Sequence, residues 1–92
     1  MNSIKERIKF LVAAEGIGPA DLARKTGIKR DRWANVLYHP TKPNGDDIEA
    51  LVTIWPEYAY WLTTGNVLPE AGQISPELEE KRRDSEKAGK AI

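Results

Sequence analysis

The chain has 92 residues, 14 basic against 14 acidic, and no cysteine. That length fits one small domain, and the missing thiols exclude disulfides, thiol catalysis and a cysteine-based zinc knuckle. The longest apolar run, Phe10 to Ala14, is far too short to cross a bilayer, and no secretory leader is visible, so a cytoplasmic protein with no membrane contact is expected.

Ser3 and Glu6 form a capping box, and a helix is predicted from Ile4 to about Glu15. Ile4, Ile8, Leu11 and Val12 make its apolar stripe, and Gly16 ends it. Lys5, Arg7 and Lys9 fall off that stripe, which reads as a solvated face or as phosphate contacts. Gly18-Pro19 opens a second helix, with proline where its missing N–H costs nothing. Leu22 and Ala23 turn this helix toward a core. Gly27 stops it, because glycine alone takes the left-handed backbone there without steric cost. Ile28 plugs the turn. A third helix is predicted from about Lys29 to Tyr38, with Trp33, Val36 and Leu37 inside and Lys29, Arg30, Asp31, Arg32 and Asn35 outside.

His39 to Gly45 contains two prolines and a glycine, so it reads as a loop. The lone His39 has no cysteine partner and reads as polar surface rather than a metal ligand. Asn44 caps a fourth helix. Asp46, Asp47 and Glu49 sit in its first turn, where the helix dipole favours carboxylates over a metal or acid–base site. Ile48, Leu51, Val52 and Trp55 form its core stripe. Pro56 opens a fifth helix, Glu57 to about Thr64, closed by Gly65. Tyr60 and Trp61 are predicted to face away from the Trp55, Tyr58, Ala59 and Leu62 side. An aromatic helix covered on one side only suggests either burial under the C-terminal segment or a homodimer interface of Tyr60, Trp61, Val67 and Leu68. Residues 66–74 read as a linker. Ser75-Pro76 starts a charged helix running to about Lys87, with Glu77–Lys81 and Glu79–Arg83 spaced as ion pairs. Leu78 is its one apolar residue, so it is expected to fray or to order against a partner.

Charge is unevenly spread. Residues 1–42 hold nine Lys or Arg against four acids, and residues 43–70 hold five acids and no Lys or Arg. A local positive pole attracts a polyanion despite zero net charge, and it coincides with the second and third helices. The stretch LARKTGIKRDRWANVL resembles the helix-turn-helix of the Cro and phage-repressor class, also called the xenobiotic-response-element type. The family pattern is Leu-Ala, three residues, Gly, a branched apolar residue, then a polar helix with an apolar anchor. Leu22, Ala23, Gly27, Ile28, Trp33 and Val36 sit on it. The chain departs at Pro19, where the family usually has glutamine, at Trp33 for Ile or Val, and at Leu37 for a frequent Glu.

The resemblance implies an all-α fold: a compact five-helix repressor-like domain over residues 1–65, then a linker and short charged C-terminal helix or tail over residues 66–92. It implies a sequence-specific regulator, of phage or prophage repressor type, that binds double-stranded DNA as a homodimer on a palindromic operator. In such a complex the third helix enters the major groove. Arg30 is then placed to read guanine, Asn35 to read adenine, and Asp31 either to accept from cytosine or to cap its helix. Lys29, Arg32, Thr41, Lys42 and Asn44 are the expected phosphate contacts. The alternative is an antitoxin or other interaction protein that uses its C-terminal segment on a protein partner as well as binding DNA. No catalytic residues, metal or cofactor are expected: one His, no Cys and no glycine-rich phosphate loop offer no recognisable constellation.

Overall fold

The structure, a computed structural model, describes residues 3–90, with side chains described as far as residue 86. Residues 1, 2, 91 and 92, assigned above to the first domain and the tail, lie outside the described residues. Six helices follow in order: α1 Ile4–Glu15, α2 Pro19–Thr26, α3 Arg30–Tyr38, α4 Gly45–Ile54, α5 Ala59–Thr64 and α6 Pro76–Lys90. Short 3₁₀ turns occupy Pro56–Tyr58 and Pro69–Ala71. The all-α fold is therefore as expected, with α6 as the sixth helix after the predicted five.

The amphipathic stripes build one core. Ile8 and Leu11 of α1, Leu22 of α2, Trp33 and Val36 of α3, and Leu51 of α4 are fully buried, with Leu37 and Leu62 nearly so. The helix ends obey their capping residues. Ser3 Oγ accepts the Glu6 N–H at 3.1 Å. Asn44 Oδ1 accepts the Asp47 N–H at 2.9 Å, and Asp47 Oδ2 accepts the Asn44 N–H at 2.9 Å. These bonds satisfy donors that have no partner inside the helix.

The corner between α2 and α3 is fixed by one hydroxyl. Thr26 Oγ1 donates to Leu22 O at 2.6 Å and accepts the Ile28 N–H at 3.1 Å and the Trp33 indole N–H at 3.0 Å. Gly27 completes the corner at φ +76°, a left-handed conformation that penalises side chains with a Cβ.

Two expectations about side chains of α1 and α5 are overturned. Arg7 is neither solvated nor available to a phosphate. It is 7% exposed, and its Nε donates to Leu62 O at 2.7 Å, with Nη2 3.4 Å from Thr63 O. A buried guanidinium thus meets the carbonyl-rich, negative end of α5. Trp61 does not face outward for a dimer. It is 5% exposed and packs edge-on to Phe10 and Tyr58, with ring centroids 6.1 and 6.4 Å away. The reason is local geometry. Pro56–Tyr58 forms a 3₁₀ turn and α5 begins only at Ala59. Tyr58, Trp61 and Leu62 are spaced i, i+3 and i+4, so Trp61 shares the inward face of the other two.

The segment read as a linker is tied back onto this helix. Leu68 and Gln73 exchange backbone bonds of 2.8 and 3.1 Å. The Gln73 side chain accepts the Tyr60 N–H at 2.9 Å and donates to Pro56 O at 3.0 Å, while the Ile74 N–H reaches Glu57 O at 2.9 Å. Ser75 Oγ then accepts the Leu78 N–H at 3.2 Å to start α6. Along α6, Glu79 pairs with Arg82 at 2.7 Å and Arg83 at 3.2 Å, and Glu77 with Lys81 at 3.8 Å. The Arg82 hydrogen bond holds the Glu79 carboxyl below its ordinary value. α6 is helical and packs on α1, where the sequence suggested fraying or a partner.

Replacing Thr26 with Val keeps the shape and removes the hydroxyl, leaving the buried Trp33 N–H without an acceptor. Urea unfolding is expected to show a loss of about 1–3 kcal/mol for T26V and a smaller loss for T26S. A T26V protein as stable as the parent would contradict the role given to this bond.

Candidate nucleic-acid interface

Helix α3 stands on Trp33, Val36 and Leu37. At 100° per residue the positions opposite these are Asp31, Asn35 and Tyr38, with Arg30 and Ala34 on one flank. Lys29, Arg30, Asp31, Asn35 and Tyr38 are all exposed, and Tyr38 is 68% exposed. The helix is nine residues long, about the length that one face of a major groove can accept. Its angle is set by the Thr26 corner on one side and by α4 on the other.

The α4 contact is an ion pair. Arg32 Nε lies 3.3 Å from Asp47 Oδ1, and Nη2 bonds Asp47 Oδ2. The same Nη2 donates to Lys42 O at 3.2 Å. Asp47 is buried, and its remaining acceptor capacity takes the Asn44 N–H. The hydrogen bond to Asp47 raises the Arg32 pKa above its ordinary value. Arg32, expected as a phosphate contact, is therefore a brace between α3 and α4. Asn44, expected to donate its N–H to phosphate, spends that N–H and its side-chain oxygen on the capping box. Both residues are committed for the same reason: the buried Asp47 carboxylate requires donors on every side.

Other cations divide in the same way. Lys5 Nζ donates to His39 O and, at 3.0 Å, to Thr41 O. Arg24 pairs with Asp21, whose carboxyl is held below its ordinary value first by the Gly18 N–H and then by Arg24. Lys29, Arg30 and Lys42, by contrast, are exposed, and among the described residues no carboxylate or carbonyl engages their charged groups. Thr41 is half-buried, with its carbonyl on Lys5. The base-contact candidates Arg30, Asp31 and Asn35 thus share α3, Lys29 stands at its N-cap, and Lys42 lies in the loop that leaves it.

Of the four residues named for a dimer, Tyr60 and Leu68 are 40% and 41% exposed. Gln73 bonds the backbone of both. Val67 is half-buried, and Trp61 is interior. Among the described residues no group of three or more His, Cys, Asp or Glu side chains is placed to hold a metal. None of their helices is long and apolar enough to cross a membrane. The sequence reading missed Tyr38 as part of the exposed ridge, although its spacing of seven from Asp31 was there to see. It missed Lys5 and Arg32 as braces, for which no local signal exists.

No protein-family model matches the chain, and no curated protein does. A solved structure does: Pf6r from the filamentous phage Pf6 of Pseudomonas aeruginosa PA01 is similar at a TM-score of 0.73 and 36% identity, over 83% of this chain and 97% of that one.

The division between braced and free cations is measurable without any ligand. Arg30→Ala is expected to leave the urea midpoint nearly unchanged, as for other surface substitutions. Arg32→Ala is expected to lower it clearly, because it strands a buried carboxylate. Equal midpoints for the two variants would contradict the division.

Proposed function

Because the chain belongs to the family of Pf6r, a protein of a filamentous phage, we propose that it is a sequence-specific DNA-binding regulator of phage or prophage type. It acts as a homodimer on a palindromic operator, in the bacterial cytoplasm where the duplex is found. The observation that carries this reading is the bare polar face of α3, with unengaged cations at its start, on a helix fixed from both sides. A helix held this way gives up little conformational freedom on docking.

In this reading α3 lies in the major groove. The Arg30 guanidinium donates to the O6 and N7 of one guanine, and the Asn35 amide pairs with adenine. Asp31 stands between them on the ridge, where it accepts from a cytosine amino group and disfavours bases that offer only acceptors. Lys29 and Lys42 take phosphates, with the Thr41 hydroxyl beside them. Arg32 and Asn44 serve the interface indirectly, by holding α3 and the loop on α4. Tyr60 and Leu68 form the apolar part of the dimer contact, with Val67 behind them. Two copies then present their α3 helices roughly 34 Å apart, one turn of B-DNA.

Selection of bound fragments from a random duplex pool tests the proposal. The expected result is an enriched pseudo-palindrome with half-sites about one helical turn apart. Arg30→Ala is expected to cost about 1–3 kcal/mol of affinity per half-site and to relax the preference at one base pair of each half-site. A pool with no enrichment would overturn the reading. Uniform weakening on all sequences would reassign Arg30 to a phosphate.

A further inference from the structure

The loop that leaves α3 has its carbonyls held by two cations from different helices. Lys5 of α1 holds His39 O and Thr41 O, and Arg32 of α3 holds Lys42 O. In a trans peptide the carbonyl and the following N–H point in opposite directions, and no cis peptide occurs among the described residues. Three peptides are affected, and two of them end in proline: His39–Pro40 and Lys42–Pro43 have no N–H to present. Thr41–Lys42 does. Turning Thr41 O onto the Lys5 ammonium turns the Lys42 N–H away from α1. Among the described residues that N–H has no backbone acceptor, and Lys42 is exposed.

We propose that Lys5 is a positioning residue which, together with Arg32, shapes loop 39–43 into a binding element for a DNA phosphate. The element consists of the Lys42 N–H and the Lys42 ammonium. The two cations act in two ways. They fix the peptide that carries the donor, and they draw inward three carbonyl oxygens that would otherwise repel an approaching phosphate. Lys5 has three ammonium donors and uses two on the loop, so its charge serves the loop before it serves any ligand. This inference rests on the DNA-binding reading and deepens it by identifying what orients Lys42.

The test is a double-mutant cycle on the duplex recovered from the selection above, with log affinity followed against log salt. Each phosphate contact contributes a slope of about 0.9. Lys5→Met and Lys42→Met are each expected to reduce the slope by about one contact per protomer, two for the homodimer, which is roughly a twelvefold smaller loss of affinity between 50 and 200 mM salt. The double variant is expected to have the slope of Lys42→Met alone, since both changes remove the same charged contact. Lys5→Arg, which can still donate to both carbonyls, is expected to restore the parental slope. Circular dichroism confirms the fold of each variant, and Lys5→Gln replaces Lys5→Met in the cycle if the latter does not fold. A double variant that loses two contacts per protomer would overturn the proposal by making Lys5 an independent phosphate ligand. A Lys5→Met protein with the parental slope would overturn it as well. If the parent protein binds no duplex, the DNA-binding reading fails and this inference with it, an outcome told apart by the parent alone.

Discussion

One hydroxyl group sets the geometry on which the rest of the structure depends. Thr26 Oγ1 has one proton to give and two lone pairs to fill, and all three are used, on Leu22 O, the Ile28 N–H and the Trp33 indole. The first bond ends α2, the second shapes the turn, and the third anchors the largest buried side chain of α3. The crossing of α2 and α3 therefore does not rest on apolar contact alone, which is non-directional. Trp33 occupies a position where the resembling family has Ile or Val, and its indole N–H makes this hydrogen bond possible. An aliphatic anchor has no donor to offer Thr26.

Charge performs two different tasks in this chain, and net charge conceals both. Lys5, Arg7, Arg24 and Arg32 are engaged by carbonyls or carboxylates of the protein itself. Arg7 and Arg32 join elements distant in sequence: α1 to the end of α5, and α3 to the start of α4. Gly65 shows how closely the first of these fits, since a Cβ there would come 3.3 Å from Arg7 Nη1, at a backbone φ of +82°. Lys29, Arg30 and Lys42 remain outward around α3. In the proposed function the braces supply rigidity and the outward cations supply attraction, so a chain of zero net charge can still present a positive face to a polyanion.

The helices were largely legible in the sequence because their signals are local. The Ser3 and Asn44 caps, the Gly16, Gly27 and Gly65 stops and the stripes of Ile8, Leu11, Trp33, Val36 and Leu51 act within a few residues of themselves. What was not legible depends on distant partners. Arg7 and Leu62 are 55 positions apart, and periodicity places a long cation off the apolar stripe without saying which carbonyl it will find. Arg32 appeared to be a phosphate ligand because its acceptor, Asp47, already had a sufficient local explanation in the helix dipole. Trp61 was assigned to the wrong side because the face was drawn through Trp55 and Ala59, whereas the buried stripe is Tyr58, Trp61 and Leu62. The stretch 66–74 looked like a linker because one glutamine, Gln73, makes most of its attachments. At the candidate site, the exposure of Lys29, Arg30, Asp31 and Asn35 follows from helical spacing alone, whereas the braces behind them required the fold.

In the proposed function the outward face of α3, fixed by the Thr26 corner and the Asp47 brace, is the surface that meets DNA. Backbone amide shifts followed by NMR during titration with the selected duplex, at moderate salt, test it most directly. The expected result is that the largest perturbations run through residues 29–35 and reach Lys42, while α6 is left nearly unmoved. Perturbations centred on α6, or none at all, would contradict the account.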